Sequence, residues 1–236
     1  MAGRITQGVS FTKGSPVLKG YSLPIFLTPG NKYWVGGTMF LIAAVAYITS
    51  NHFHIFPPVL LPMSAIDQWV PFIPQTVWIY TSEYWFFVTV YLVCKDLENV
   101  NKYLYSFLAL QIFSVMIFWI WPTTYPRENF PLPNTLDSIT YAVFSSLRNS
   151  DTPANCCPSL HVSSVYLSSF MFLDEQKEKF PLFFAWGTAI ALSTLTTKQH
   201  YLIDVVLGLA LAVIFYWVFH RLIRYYRVSS GLQANR

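Results

Sequence analysis

Two histidines in this chain stand where their neighbours could make them reactive. His200 and Asp204 lie four residues apart in "HYLID". On a helix that spacing puts both on one face. The carboxylate can then hold one ring nitrogen and fix the tautomer, leaving the other nitrogen free with raised basicity. That is how a nucleophile or a base is prepared. His161 stands in "PSLHVSS", after Pro158 and Ser159. Proline suits the first turn of a helix, where its missing N–H costs nothing. A helix start presents free amides and the positive end of a dipole, which attract phosphate. Ser159 adds a hydroxyl and a backbone N–H, so "PSLH" can make an anion seat with an acid beside it.

The elements that must carry these residues are apolar. Of the 236 residues 54% are hydrophobic and 11% charged, against about 25% charged in a soluble domain. The apolar residues fall into blocks near the length that crosses a bilayer. An aromatic fraction of 18% agrees, since Trp and Tyr favour membrane interfaces. The chain reads as an all-α, integral membrane bundle of six spans, drawn at Tyr33–Ser50, Thr76–Cys94, Tyr103–Trp121, Ser159–Leu173, Phe180–Thr196 and Tyr201–Ile223. The fourth and fifth are short and carry Ser, Thr and His, which suggests helices inside the bundle. Residues 1–32 then form an N-terminal segment, 33–224 the bundle and 225–236 a tail. The first thirty residues hold no apolar run of the signal-peptide kind.

Charge orients the bundle. Six spans put both termini on one side. That side receives twelve of the fifteen basic residues, among them Arg4, Lys13, Lys19 and Arg236. The positive-inside rule makes it cytoplasmic. The slightly basic total follows from this asymmetry and needs no nucleic acid. Both histidine motifs fall on the opposite, extracytoplasmic side, where only Arg127, Arg148 and Lys198 are basic. Basic residues disfavoured there are candidates for a purpose, and Lys198 stands two residues before His200.

The long connection from Pro122 to Cys157 opens with a stiff "PTTYPRENFPLP". Leu136, Ile139, Val143 and Leu147 then recur at helical spacing, either as an amphipathic helix on the membrane surface or as a plug between helices. Glu83, inside the second span, could bridge to a site cation, bind a headgroup or be protonated against a neighbouring helix. His52, His54 and His220 read as interface residues. Cys94, Cys156 and Cys157 make no disulfide framework and read as small buried groups.

"PSLH" followed later by "S-(six residues)-HYLID" resembles the type 2 phosphatidic acid phosphatase superfamily, over about Pro122 to Gly208. The resemblance implies a membrane lipid phosphatase or phosphotransferase. It assigns the nucleophile to His200, its orienting carboxylate to Asp204, the leaving-group acid to His161 and a phosphate contact to Ser159. Two positions depart from the family pattern. Arg127 is followed by Glu128 rather than proline, with Ile120 at the family's lysine position. Ser193 is followed by Thr194 rather than arginine. Lys198 is the candidate replacement for the missing cation.

The implied reaction is attack of His200 on phosphorus, a phosphohistidine intermediate, and its transfer to water. Arg127, Lys198 and the amides near Ser159 would hold the phosphate oxygens. No cofactor is implied. A metal held by His161, His200 and Asp204 is the weaker alternative, because the basic neighbours repel a cation. The substrate partner would be a membrane lipid carrying a phosphate. An alternative within enzymes is a lipid phosphotransferase resembling sphingomyelin or inositol phosphorylceramide synthases. Another class is an anion transporter or channel, though a pure anion site gains nothing from Asp204.

Overall fold

The computed structural model describes residues 9–11 and 22–228. Arg4, Lys13, Lys19 and Arg236 lie outside them. The fold is mostly helical: α1 (Lys32–His52), α2 (Ala65–Trp69), α3 (Val77–Thr81), α4 (Glu83–Val93), α5 (Leu97–Ile120), α6 (Ser138–Ser150), α7 (Leu160–Phe170), α8 (Phe180–Thr196) and α9 (Leu202–Trp217). α1, α5 and the stretch Leu202–Leu222 are each long and apolar enough to cross a membrane. Leu160–Leu173 and Phe180–Thr196 are shorter apolar helices. The stretch expected as a second span is divided at Ser82, which ends α3 and starts α4.

Polar side chains set several starts. Asp96 accepts from the Glu98 amide at the head of α5, and Asp137 from the Thr140 amide at the head of α6. These bonds replace partners that a first helical turn lacks. At α2, Ser64 and Asp67 form a reciprocal capping box.

α7 is the centre. All of its residues except His161 are buried, and it packs against α9, α8, α5 and α4. α8 was expected to be interior, but it turns Leu182 (67% exposed) and Leu192 (55%) outward. Its buried side faces α7 through Gly187. Outward apolar side chains such as Trp34, Trp85 and Trp217 give the bundle a surface suited to lipid.

Helices that succeed one another along the chain alternate in direction, while the packed neighbours α7 and α9, whose starts meet through the Ser159 amide and the Asp204 carbonyl, run parallel. At one end Lys32 Nζ donates to the Cys94 carbonyl, Glu175 accepts from the Lys95 amide, and His220 meets Asp174 at 2.8 Å. His220 is therefore buried and hydrogen-bonded to Asp174, not the interface residue expected. Burial raises the Asp174 carboxyl, but His220 and Arg221 beside it outweigh burial and hold it below its ordinary range. A three-stranded sheet lies outside the helices. Its central strand β5 (Arg224–Val228) pairs antiparallel with β1 (Val9–Phe11) and parallel with β2 (Ser22–Pro24). It takes in residues expected as terminal segments, and non-local pairing of this kind leaves no mark in hydropathy.

At the other end the loops are woven together. β3 (Val59–Leu60) pairs with β4 (Thr123–Thr124), and Thr123 bridges to Asn155. In the long connection α6 lays one face against the bundle. The buried row of α6 is Thr140, Phe144 and Leu147, with Phe144 and Leu147 against Val77 and Tyr80 of α3. Ile139, expected on the apolar face, points outward (68% exposed).

Candidate active site

His200 and Asp204 meet at the start of α9. Nδ1 of His200 lies 3.3 Å from Asp204 Oδ2 and 3.0 Å from the Cys156 carbonyl. Both neighbours are acceptors, so Nδ1 carries the proton and Nε2 keeps its lone pair. Nε2 makes no hydrogen bond among the described residues and is not sealed from solvent. Asp204 Oδ2 is fixed in turn by the Tyr201 amide at 2.8 Å.

The Cys156 carbonyl is placed by the loop weave. The Cys156 amide donates to the Thr123 carbonyl, and the Cys157 amide to Thr123 Oγ1 at 2.7 Å. Tyr201 donates to the Thr124 carbonyl at 3.1 Å and packs on Tyr125, ring centroids 4.5 Å apart.

Gly208 brings the second histidine near. A Cβ there would lie 2.7 Å from the Ser159 carbonyl, so glycine lets α9 cross α7 at backbone contact. The Ser159 amide then donates to the Asp204 carbonyl at 3.1 Å. The rings of His161 and His200 stand 5.7 Å apart. Nε2 of His161 lies 2.8 Å from the Tyr80 hydroxyl and 3.3 Å from Glu83 Oε1, and its Nδ1 takes no hydrogen bond among the described residues.

Ser159 is the N-cap of α7, its hydroxyl accepting from the Val162 amide at 3.3 Å. Pro158 therefore precedes the cap rather than standing in the first turn. The Leu160 and His161 amides of that turn take no hydrogen bond among the described residues, so the helix start has N–H groups to offer an anion.

The two cations differ. Arg127 is buried and paired with Asp151. One N–H donates to the Asp151 carbonyl and another lies 3.2 Å from its carboxylate, while Nε has no partner among the described residues. Asp151 also accepts from Tyr47 at 2.5 Å. Lys198 sits in the α8–α9 turn at a left-handed φ of 55°. Its ammonium donates to the carbonyls of Asp67 (2.9 Å) and Val70 (2.6 Å) and lies over the Phe130 ring. Burial lowers its pKa, partly offset by Asp67. Arg148 lies over the Phe144 ring and donates to the Phe130 carbonyl.

The structure thus brings His200, Asp204, His161 and Ser159 together. It ties Arg127 to Asp151, and Lys198 to the end of α2. Tyr47, Tyr80, Asp67 and Asp151 escaped sequence reasoning, because each reaches the site from a distant segment. The one available signal was their polarity inside apolar surroundings. Asp67 holds the Leu202 amide at 2.7 Å and so fixes the head of α9 from outside the bundle.

The donor set that could surround a metal ion is not the expected trio. Cys156, His200 and Asp204 have potential ligand atoms within 4.8 Å of one another. Burial pushes the Cys156 thiol well above its ordinary range, with Asp204 adding to the effect. A metal needs the thiolate, so this set fits an ion poorly. The neighbouring Cys157 thiol is raised by burial to about 12.

A cavity of about 300 Å³ opens beside His161. Glu83, Tyr47 and Asp151 line it near the histidine, and Ala43, Phe87 and Phe107 line it deeper in. Comparison with known families matches residues 68–218 to the PAP2 superfamily. No curated protein matches the chain.

Proposed function

The chain belongs to the PAP2 superfamily, and from that premise we propose that it removes phosphate from a lipid phosphate through a phosphohistidine intermediate. Membership supports action on a phosphoester. The observation that carries the finer reading is the pairing of His200 Nδ1 with two acceptors, which frees Nε2 as a nucleophile.

His200 Nε2 attacks phosphorus in line with the leaving oxygen. The N–P bond forms as the P–O bond breaks, and His161 gives its proton to the departing alkoxide. Water then attacks the phosphohistidine, His161 takes its proton, and phosphate leaves with His200 restored. The Leu160 and His161 amides and Arg127 hold the equatorial oxygens as charge moves. Ser159 serves this seat by capping α7 and retains a hydroxyl proton to donate. We assign Lys198 to bracing the turn before His200, because its ammonium already has two carbonyl partners.

Glu83 stands behind His161 as Asp204 stands behind His200. It is a positioning residue for the acid. Transfer to an alcohol instead of water is the second reading, supported by the apolar cavity beside His161, which suits a lipid alcohol better than bulk water.

We further propose six spans with both termini cytoplasmic and the site extracytoplasmic, on the strength of the basic-residue asymmetry and the alternating helices. Reporters fused after Arg227 and near Asn134 should lie on opposite sides. Phosphate release by the purified protein, inhibited by vanadate and indifferent to chelators, tests the reaction. Radiolabel from a phosphate-labelled substrate should appear on His200 as an acid-labile, base-stable adduct. Release without such an adduct in a rapid quench would overturn the covalent step.

A further inference from the structure

The turn that carries His200 is held at two points by one residue from a distant segment. Asp67 of α2 is buried (6% exposed). Its Oδ1 accepts from the Leu202 amide at 2.7 Å, and its backbone carbonyl accepts from Lys198 Nζ at 2.9 Å. Lys198 stands two residues before His200 and Leu202 two residues after it. The second carboxylate oxygen is fixed in turn. Oδ2 accepts from the Ser64 amide at 2.8 Å and from the Ser64 hydroxyl at 2.7 Å. The carboxylate therefore cannot swing away from Leu202 without breaking these bonds.

Asp67 reaches this turn because the segment around it is fastened down. The Ile73 amide donates to the Thr196 carbonyl at 2.8 Å, and the hydroxyls of Thr76 and Thr196 meet at 2.7 Å. On the other side of α2, Leu61 and Met63 pack against the cluster of Tyr125, Cys156 and Tyr201. Residues 61–76 thus form a strap across the end of α8 and the start of α9. Lys198 Nζ adds one more tie, to the Asp67 and Val70 carbonyls. With the other fastenings in place, the strap does not depend on that ammonium. The Leu202 amide, by contrast, has no acceptor besides Asp67 among the described residues.

The direction of that amide bears on His200. The two amides that follow the histidine are held by different carboxylates, Tyr201 by Asp204 at 2.8 Å and Leu202 by Asp67. The first amides of a helix have no partner within it, so these two bonds decide how α9 begins. They also decide where the His200 backbone lies relative to Asp204 and the Cys156 carbonyl, the acceptors that aim its ring. Lys198, at φ 55°, has a backbone that a residue with a side chain adopts where its surroundings impose it. Leu202 is half-buried, so water can take the place of the carboxylate on its amide. Water would satisfy the donor without fixing its direction. What Asp67 adds beyond a cap is aim.

We propose that Asp67 is a positioning residue for the nucleophile: acting through the Leu202 amide, it sets the line along which His200 Nε2 meets phosphorus. The proposal rests on the reading of His200 as the attacking group. In-line attack tolerates little error, and a misplacement of about 1 Å can cost about a hundredfold. Two carboxylates then divide the work on one histidine. Asp204 holds the tautomer from the helix that follows it, and Asp67 holds the start of that helix from the strap.

Rapid quench of full-length protein in mixed micelles, with a labelled alkyl phosphate lipid and a labelled aryl phosphate, gives two quantities. They are the rate constant for phosphorylation of His200 and the final stoichiometry of the adduct. Asp67→Ala should lower the rate constant by about 10–100-fold, the upper figure being the cost of a 1 Å misplacement. The loss should be equal on both substrates, because misplaced attack does not depend on the leaving group. Stoichiometry per folded protein should not change. A cap that only stabilises the fold would lower the stoichiometry and spare the rate constant, and that result overturns the proposal. So does a loss confined to the alkyl substrate, which would put Asp67 behind the acid. Should Asp67→Ala not fold, Ser64→Ala carries the test, since it frees Oδ2 while leaving the Leu202 bond. Its rate constant should fall a few-fold, the scale of one hydrogen bond, and a wild-type value overturns the proposal. The Nδ1–H resonance of His200, identified by its loss in His200→Ala, reports the aim of the ring without turnover and should shift in Asp67→Ala. If the wild type forms no adduct on His200, the phosphatase reading falls and the resonance decides alone. A shift then supports the hold of Asp67 on His200, and an unmoved resonance overturns it. Adduct formation with neither rate constant nor resonance changed in Asp67→Ala overturns this proposal and leaves the phosphatase reading standing.

Discussion

The two histidines of the site are built in different ways. His200 is served locally. Its carboxylate is four residues away on its own helix, its second acceptor is a backbone carbonyl, and it is 4% exposed. His161 is served at a distance. Tyr80 and Glu83 come from helices some eighty residues earlier, and the ring borders an open cavity. The difference matches the roles proposed for them. A nucleophile has to hold one tautomer and one line of attack, which a rigid neighbourhood provides. An acid has to meet leaving groups carried by a bulky, variable lipid, which needs space on one side.

The sharpest break of this comparison is at His200. His200→Ala should lower turnover by about 10⁶-fold, the scale seen when a catalytic nucleophile is removed, with no phosphoenzyme in a quench. Asp204→Asn should lower it by about 10⁴-fold, because the amide can present a donor to Nδ1 and favour the wrong tautomer. A folded His200→Ala protein that still turns over would end the mechanism.

On the distant side the expected effects are smaller and depend on the leaving group. Glu83→Gln should cost about 10–100-fold on an alkyl phosphate, as for other residues that orient a functional histidine. With an aryl phosphate, whose oxygen leaves without a proton, the loss should shrink to a few-fold. An equal loss on both substrates would mean that Glu83 supports the fold rather than the acid.

The same contrast decides what the sequence disclosed. The i, i+4 pair and the helix-starting "PSLH" are local patterns, so a prepared histidine with its carboxylate, and an acid beside an anion seat, could be read from spacing, while the family resemblance assigned their roles. The membrane-like helices could be read because hydrophobic length is also local. The partners of His161 could not, since nothing in "TSEYW" says which histidine Glu83 will meet. Arg127 and Lys198 show the limit from the other direction. Both were singled out as cations on the extracytoplasmic side, yet the guanidinium is tied to Asp151 at the far end of its own connection and the ammonium to carbonyls some 130 residues earlier. Charge can be counted along a chain, but its partner is chosen by the fold.

The junction between the two regions is the crossing of α7 and α9 at Gly208. Gly208→Ala would push its Cβ against the Ser159 carbonyl. Overpacking of this kind costs about 1–3 kcal/mol, which should appear as a lower unfolding midpoint in detergent. Because the same contact sets the spacing of the histidines, turnover of the remaining folded protein should fall as well. A stable and fully active Gly208→Ala would show that the crossing has slack.

The smallest effect is expected at Lys198. If its ammonium braces the end of α2, Lys198→Gln should keep turnover within about threefold, far less than the 10²–10³-fold loss that follows removal of one oxyanion donor. Its stability should respond to pH in a defined way. Burial lowers the folded-state pKa below the ordinary lysine value, with Asp67 offsetting part of the shift. Between the lowered value and the ordinary one, the unfolded chain therefore binds more protons at this site than the folded chain. Stability then rises with pH across that interval, as the cost of burying the charge is relieved. Lys198→Gln lacks this contribution, so the unfolding midpoint of wild type should gain on the mutant as pH is raised from neutral toward 10. A gap constant over that range would remove the buried-ammonium account. A loss of turnover near a hundredfold would return Lys198 to the phosphate and leave Arg127 as one of two clamps.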